Sequence, residues 1–201
     1  MSSHYQKAYF LLSAAEVKQL PPDYGVEIAM VGRSNAGKSS VLNRITRQGQ
    51  LARVSKTPGR TQLINVFVID ENRRLIDLPG YGFAKAPLAA KRKWEEAIDA
   101  YIRGRESLKG VVLIMDIRHP LKDLDVNMLD YCESADLKVH VLLNKADKLS
   151  KGAGKDTLLA VQAALAPYGE RVSVQLFSAL TSVGLEELYK VLGCWYGYVK
   201  V

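Results

Sequence analysis

The chain contains Gly32-Arg33-Ser34-Asn35-Ala36-Gly37-Lys38-Ser39, which matches the phosphate-binding pattern G-x-x-x-x-G-K-[ST] at every fixed position. An apolar run, residues 28–31, precedes this stretch, and a helix-like segment, residues 39–45, follows it. This order favours an anion site, because the first N–H groups of a helix lack partners and lie at the positive end of its dipole. We predict that every residue of the stretch contacts a nucleotide, that Lys38 reaches the β- and γ-phosphates and that the Ser39 hydroxyl binds Mg²⁺.

A second motif, Asn144-Lys145-Ala146-Asp147, follows the apolar run 139–143. A carboxylate such as Asp147 can accept two parallel N–H bonds, which guanine offers from N1 and its 2-amino group. Adenine offers neither bond and would leave the carboxylate unpaired, so such a site discriminates strongly. The alkyl stem of Lys145 can lie over the base, and the Asn144 amide can connect loops. We therefore predict that this motif binds GTP and GDP rather than ATP.

Two shorter elements add to these motifs. Asp77-Leu78-Pro79-Gly80 closes an apolar strand and reads D-x-x-G. In phosphoryl-transfer sites an Asp at such a position holds Mg²⁺, often through water, and we expect the Gly N–H to contact the γ-phosphate. Phe177-Ser178-Ala179 ends a later β-branched strand, and its backbone N–H groups could bind the guanine O6. We predict nucleotide contacts at each of these residues.

A loop marked by a Pro-Gly pair, residues 56–61, lies between the first motif and Asp77. It carries two threonines, Thr57 and Thr61, that could supply the second protein ligand of Mg²⁺. We choose Thr61, because it adjoins a predicted strand that would hold its hydroxyl rigidly, and Thr57 is the alternative. The predicted nucleotide contacts of this region are Gly59, Arg60, Thr61, Gln62 and Leu63. The predicted catalytic residues are Lys38, Thr61, Asp77 and Gly80.

Hydrophobic patterning predicts an α/β fold. The predicted strands are 26–31, 62–69, 74–77, 110–116, 138–143 and 172–177, and the predicted helices are 38–47, 88–104, 123–135, 155–166 and 183–199. Several strands are nearly all apolar, as in sheets covered on both faces, whereas 62–69 alternates and reaches 74–77 through a hairpin-like turn. We predict a doubly wound, mostly parallel six-stranded sheet with one antiparallel edge strand and with ligands at the carboxyl ends of the strands. Residues 1–25 are predicted to pack as a short extension on a single nucleotide-binding domain, 26–201.

The formal charge of +7 is concentrated in one region. Residues 44–109 hold 14 Lys/Arg and 7 Asp/Glu, a difference of +7, and the rest of the chain holds 14 of each. The basic residues concerned are Arg44, Arg47, Arg53, Lys56, Arg60, Arg73, Arg74, Lys85, Lys91, Arg92, Lys93, Arg103, Arg105 and Lys109. Such a cluster favours RNA through a salt-dependent phosphate contact, although a merely solvated basic surface is the alternative.

Cysteine usage and hydropathy bear on location. The 2 cysteines have neither metal-ligand spacing nor a disulfide framework, which is typical of a reduced cytosolic protein. No apolar run approaches the length of a membrane span, and the N-terminus lacks the layout of a secretory signal. We expect a cytoplasmic protein without stable membrane insertion.

Three further stretches carry a resemblance to a known family. They are SKTPGRTQLIN at 55–65, DLPGYG at 77–82 and MDIRHPLK at 115–122. Together with the motifs above, they resemble the EngB family, also called YihA or YsxC, among the GTPases related to translation factors. The resemblance covers the chain from about Tyr9 to its C-terminal helix. It implies a bacterial GTPase that uses GTP, GDP and Mg²⁺, acts with the large ribosomal subunit and its rRNA during subunit assembly, and is required for normal cell division and septation; a monomer is expected.

Slow hydrolysis is expected, because Tyr81 follows Gly80 where other small GTPases place a water-orienting glutamine. The docked ribosomal particle or K⁺ could compensate, and Asn35 is the candidate K⁺ ligand because related GTPases use an asparagine there. Two other functions are considered. A small-molecule kinase would leave the N-K-x-D motif unexplained. A GTPase adaptor of the division apparatus or membrane, without direct RNA binding, would use helix 88–104, whose apolar face is diluted.

Overall fold

The computed structural model describes residues 2–52, 63–82 and 88–198, in which strands and helices alternate. The strands are β1 (Tyr9–Ala14), β2 (Val26–Gly32), β3 (Ile64–Asp70), β4 (Arg73–Asp77), β5 (Leu108–Asp116), β6 (Val139–Asn144) and β7 (Val172–Leu176). The helices are α1 (Ser2–Tyr5), α2 (Lys38–Thr46), α3 (Leu88–Gly104), α4 (Asp123–Ser134), α5 (Lys151–Leu165) and α6 (Leu185–Trp195). Short 3₁₀ turns occur at Val17–Gln19, Ala146–Lys148 and Ala166–Arg171.

The strands form one seven-stranded sheet in the order β1-β3-β4-β2-β5-β6-β7. β4, β2, β5, β6 and β7 pair in parallel, and β3 runs antiparallel to both β4 and β1. The predicted mostly parallel α/β sheet with an antiparallel edge is confirmed. The predicted number of strands was one too low, because residues 9–14, assigned to an extension, pair with the outer side of β3. Phe10 contributes to this edge by packing against Phe67 with ring centroids 5.7 Å apart.

Each face of the sheet is covered by helices, so two apolar cores form. Ile28 and Met30 of β2 belong to the core under α1, α2 and α6, whereas Ala29 and Val31 belong to the core under α3, α4 and α5. Because successive residues of a strand point to opposite faces, a strand between two helical layers is apolar on both faces, as β2 is apart from Glu27. The predicted burial of β2 on both faces is therefore confirmed.

Helix α5 begins earlier than predicted. Two glycines, Gly152 and Gly154, weaken the sequence signal for a helix there. In the structure Ser150 caps the helix, since its hydroxyl accepts a hydrogen bond from the Ala153 N–H at 3.3 Å. Gly154 is buried, so tertiary packing offsets its low helix propensity.

A buried ionic cluster lies at the amino end of the strands, away from the phosphate-binding loop. Glu27, at the start of β2, has no exposed surface and accepts hydrogen bonds from Arg74 (3.1 Å), Arg105 (2.8 and 3.0 Å) and the Tyr101 hydroxyl (2.8 Å). Arg105 also donates to the Pro21 carbonyl at 2.8 Å, which fixes the segment before β2. Arg74 and Arg105 are only 4% and 8% exposed, so these two charges do not contribute to the basic surface suggested by the sequence.

Burial alone would raise the pKa of Glu27. Hydrogen bonds from Arg105, Tyr101 and Arg74 outweigh that effect and hold the pKa below its usual value. The carboxylate therefore stays ionised inside the protein.

None of the helices in the described part of the chain combines the length and the apolar character needed to cross a bilayer.

Candidate nucleotide-binding site

The phosphate-binding stretch forms the turn between β2 and α2, as predicted. Gly37 has a left-handed φ of 99°, and a Cβ atom there would lie 2.4 Å from Nδ2 of Asn144. Gly32 has no room for a Cβ either, because it would lie 2.6 Å from the Ile114 carbonyl oxygen. One glycine is thus required by backbone conformation and packing, and the other by the close approach of β5. The first N–H groups of α2 point out of the helix into this loop.

Lys38 and Asp77, from two different motifs, are in direct contact. The Lys38 ammonium forms an ion pair with Oδ1 of Asp77. Asn65, for which the sequence suggested no role, donates from Nδ2 to the other carboxylate oxygen at 3.2 Å and accepts from the Ser13 hydroxyl at 2.6 Å. Asn65 lies opposite Asp77 in the β3–β4 register, so the signal that would have found it is the strand pairing. Ser39 is the next residue of α2 and is half-buried.

The D-x-x-G loop packs directly on the phosphate-binding loop. The Tyr81 N–H donates to the Gly32 carbonyl at 3.3 Å, and the Ser34 N–H donates to the Tyr81 carbonyl at 2.8 Å. A Cβ at Gly80 would lie 3.3 Å from the Gly32 oxygen, so the two loops touch at this glycine. Leu78 and Pro79 are buried beneath it.

The Tyr81 side chain points into the core. It is buried, and its hydroxyl donates to Oδ1 of Asp125 in α4 at 2.8 Å. Burial and the neighbouring Asp125 raise the pKa of Tyr81 far above its usual range, and burial raises the pKa of Asp125. The residue after Gly80 is therefore a neutral phenol that faces inward.

Asn144 joins the phosphate-binding loop to the segment after β7. Its Nδ2 donates to the Ala36 carbonyl at 2.8 Å, and its Oδ1 accepts from the Ala179 N–H at 3.3 Å. The predicted connection between loops is thus present.

Lys145 has a left-handed backbone with φ 64°, and its ammonium donates to the Asn35 carbonyl at 2.7 Å. The same ammonium contacts Oδ2 of Asp116 at 2.9 Å. Ala146 follows and donates its N–H to the Phe177 carbonyl at 3.0 Å. The residues proposed to contact the base are therefore held by neighbouring loops.

Asp147 accepts a hydrogen bond from the Ser178 hydroxyl at 2.6 Å, and Lys148 lies 3.5 Å from its other oxygen. The hydrogen bond from Ser178 has the largest effect on the pKa of Asp147 and holds it below its usual value, although burial acts in the opposite direction. An ionised carboxylate is the form that would accept two N–H bonds from guanine.

The backbone N–H groups predicted to bind the guanine O6 have partners within the chain. The Ser178 N–H donates to the Val183 carbonyl at 3.0 Å, and the Phe177 N–H donates to the Leu143 carbonyl at 3.0 Å. Of these three N–H groups, only that of Ala179, which makes a longer bond of 3.3 Å to Asn144, could also donate to a ligand. Phe177 itself is a core residue.

Arg44 is a site residue that sequence reasoning assigned differently. Its guanidinium donates to the carbonyls of Ala179 at 2.6 Å and of Leu180 at 3.1 Å. It therefore fixes the segment after β7.

The predicted contacts Gly59, Arg60, Thr61 and Gln62, and the alternative ligand Thr57, lie outside the described residues, and their roles stay predictions. Leu63 is described, is exposed and immediately precedes β3.

Comparison with known proteins confirms the class that this geometry defines, the phosphate-loop GTPases. Residues 27–145 match a family model described as 50S ribosome-binding GTPase. The chain is 54% identical over 192 residues to a probable GTP-binding protein EngB of Coxiella burnetii, covering 96% of this chain and 94% of that protein. It is 55% identical over 198 residues to the corresponding protein of Pseudoalteromonas atlantica, covering 98% and 96%. The chain belongs to the EngB family of GTP-binding proteins.

Solved structures agree on the fold. A crystal structure of a probable GTP-binding protein EngB matches with a TM-score of 0.69 at 22% identity, covering 87% of this chain and 100% of that one. Era, solved in complex with MgGDPNP and nucleotides 1506–1542 of 16S ribosomal RNA, matches with a TM-score of 0.65 at 22% identity, covering 85% of this chain and 56% of that one.

Proposed function

We propose that the protein hydrolyses GTP slowly, as a molecular switch in assembly of the large ribosomal subunit, and that this role is required for normal cell division and septation. The observation that carries the proposal is the contact between the D-x-x-G loop and the phosphate-binding loop, in which Asp77 meets Lys38. A γ-phosphate bound at Lys38 would have to alter that contact, so the nucleotide state would reach the segments on either side. The family model, named for 50S ribosome binding, supports the choice of particle.

The proposed ligands are GTP and GDP, and the proposed cofactor is Mg²⁺ bound by Ser39 and Thr61. The residues fit this cation, because hydroxyl and carboxylate oxygens are the donors that Mg²⁺ prefers and Asp77 brings a carboxylate to the start of α2. When bound, Mg²⁺ would offset the negative charge of the β- and γ-phosphates. Lys38 would exchange Asp77 for phosphate oxygens, and the Gly80 N–H would donate to the γ-phosphate.

The base would be held by the predicted contacts after β6 and β7. Asp147 would accept the N1 and 2-amino hydrogens of guanine, and the stem of Lys145 would cover one face of the ring. Ala179 would offer its N–H to O6 if it releases or shares the bond to Asn144. We also propose a cytoplasmic monomer made of one nucleotide-binding domain, 26–201, on which residues 1–25 pack as an extension that adds β1 to the edge of the sheet.

Isolated turnover is expected to be slow, and K⁺ is expected to raise it above the rate in Na⁺ at equal ionic strength. Tyr81 is bonded to Asp125 in the core, so its side chain is not available to orient the attacking water. A positive charge beside the phosphates can substitute for an arginine finger, which is worth about 10³–10⁵ in rate. Phosphate release should be measured in each salt for the unmodified protein and for Asn35→Ala, which should lose the K⁺ effect.

Fast turnover in Na⁺ without a partner would contradict the slow-switch proposal. Slow turnover that is equal in both salts would instead exclude K⁺ as an activator, and the ribosomal particle would be the proposed activator that is left.

Support for an RNA partner comes from charge, but from fewer residues than the sequence suggested. Arg44, Arg74 and Arg105 make internal contacts, and Arg73 donates to the Tyr196 carbonyl at 2.9 Å. Of the basic residues in α3, Arg92 and Arg103 are exposed, and Arg103 is paired with Asp99. We propose that the first half of α3, with the charges of Lys91, Arg92 and Lys93, docks on rRNA.

Reversing Lys91, Arg92 and Lys93 to Glu is expected to reduce cosedimentation with large ribosomal subunits while GTP affinity stays nearly unchanged. Each lost phosphate contact should lower the salt slope of binding by about 0.7–0.9. Reversal of Lys151, Lys155 and Lys190, which are exposed on α5 and α6, is the matched control with the same change in charge. Subunit binding should be measured with GDP and with a non-hydrolysable GTP analogue.

Equal losses in both triple variants would mean that net charge, rather than α3, determines binding. Binding to anionic vesicles instead of subunits would favour the alternative function, a GTPase adaptor of the division apparatus or membrane.

A further inference from the structure

Asp116, the last residue of β5, receives two cations. Arg118 donates to its two carboxylate oxygens at 2.9 and 2.6 Å, and the Lys145 ammonium contacts Oδ2 at 2.9 Å. The Arg118 N–H adds a bond to Oδ1 at 3.1 Å. The Asp116 side chain is 18% exposed. Its geometry is therefore fixed from several directions at the carboxyl end of the sheet.

The contacts of Lys145 define what Asp116 does. The lysine ammonium has two oxygen partners, the Asn35 carbonyl of the phosphate-binding loop at 2.7 Å and the Asp116 carboxylate. With its end held at both points, the flexible stem of Lys145 is confined to one path across the loop. Neutralising Asp116 would leave the ammonium with the Asn35 carbonyl, and the stem would regain rotamer freedom.

The charge on Asp116 is secure. The hydrogen bonds from Arg118 hold the pKa of Asp116 well below its usual range. Burial opposes this effect in part, and the hydrogen bond from Lys145 adds to it. Asp116 is thus a carboxylate at neutral pH, the form that pairs with the Lys145 ammonium.

We propose that Asp116 is a positioning residue for the guanine base, which it orients by holding the Lys145 stem in place. The inference rests on the proposed base contacts of Lys145 and adds a residue outside the N-K-x-D motif, 29 positions earlier in the chain. In this role Asp116 acts through Lys145 and not through a contact of its own with the nucleotide. If Asp116 only formed a structural ion pair with Arg118, its replacement would lower the free energy of unfolding. Any loss of GDP affinity would then not depend on Lys145.

A double-mutant cycle tests this inference by GDP titration calorimetry on the full chain. Asp116→Asn should weaken GDP binding about tenfold, because the negative charge that pairs with the Lys145 ammonium is removed. Lys145→Met, which keeps the apolar stem, should also weaken binding. In the Lys145→Met background, Asp116→Asn should cost no further GDP affinity, because its effect passes through the lysine. Thermal melting of each variant establishes the temperature at which all are folded.

Asp136→Asn is the matched control, since Asp136 is an exposed carboxylate paired with Arg171 at the opposite end of the sheet. It should leave GDP affinity unchanged. An equal loss from Asp116→Asn in both backgrounds would overturn the inference, and so would unchanged binding by Asp116→Asn when Lys145→Met is weakened. If Lys145→Met itself binds GDP like the unmodified protein, holding the ammonium does not matter for the base, and the inference fails while the proposed contact of the stem stands.

Discussion

Replacing Glu27 by Ala is expected to lower the free energy of unfolding by about 3–5 kcal/mol. The change leaves the buried guanidinium of Arg74 without a carboxylate, that of Arg105 with only the more distant Asp23 at 3.6 Å, and the Tyr101 hydroxyl without its acceptor. An unpaired charge inside a protein costs more than the pair contributed, because its desolvation is no longer offset. Urea unfolding followed by circular dichroism measures the difference.

Asp99→Ala provides the control. Asp99 also accepts from an arginine and a tyrosine, Arg103 and Tyr131, but it lies on the exposed side of α3. Exposed pairs contribute little to stability, so this variant should unfold close to the unmodified protein. A change for Glu27→Ala as small as that for Asp99→Ala would show that the cluster is not what holds the amino end of the sheet.

The same carboxylate makes stability depend on pH. Hydrogen bonds from Arg105, Tyr101 and Arg74, which outweigh the effect of burial, hold the pKa of Glu27 below its unfolded value. Its contribution is therefore present above the unfolded pKa of about 4.3 and is lost as the pH falls through the folded pKa. In Glu27→Gln this part of the acid dependence should disappear.

Replacing Asp147 by Asn is expected to weaken GDP binding by about a hundredfold or more, because each hydrogen bond to a charged group contributes about 1.5–3 kcal/mol. The amide can donate to a 2-oxo group, so affinity for xanthosine diphosphate should rise. The Ser178 hydroxyl, 2.6 Å from Oδ1, can still donate to the amide oxygen, so the loop should keep its shape. Competition among GDP, XDP and ADP measures the exchange.

Asp156→Asn, at an exposed position of α5, is the control for loss of one carboxylate. Comparable affinity of the unmodified protein for guanine and adenine nucleotides would contradict the assignment of Asp147. A loss of GDP affinity without any gain for XDP would mean that the carboxylate acts on the loop rather than on the base.

Short-range patterns predicted much of this protein. The phosphate-binding stretch, Gly32 to Ser39, requires its two glycines, its lysine and the following helix within one continuous segment, and each of these features is local. The apolar strands around it were recognisable for the same reason, because burial on both faces leaves a run without polar interruptions. The family assignment followed from such local motifs.

Contacts between distant residues were beyond the sequence. Asn65 meets Asp77, and Asp116 meets Lys145, only because strand register brings them together. Arg74 and Arg105 are buried because they pair with Glu27 at the start of β2. A count of charges cannot show this pairing, so it placed both arginines on the surface. β1 was missed because residues 9–14 form an edge strand, whose burial pattern is mostly exposed.

The edge position of β1 has a practical consequence for anyone shortening or tagging this protein. Ser13 bonds to Asn65, Asn65 bonds to Asp77, and Asp77 pairs with Lys38. A fragment beginning at residue 26 would expose the outer edge of β3, which could then pair with another molecule. It would also remove Ser13, the first residue in the series of contacts that ends at Lys38. Residues 1–25 should therefore be kept when the protein is shortened. A fusion partner at the N-terminus should be joined through a spacer long enough to leave Tyr5 buried.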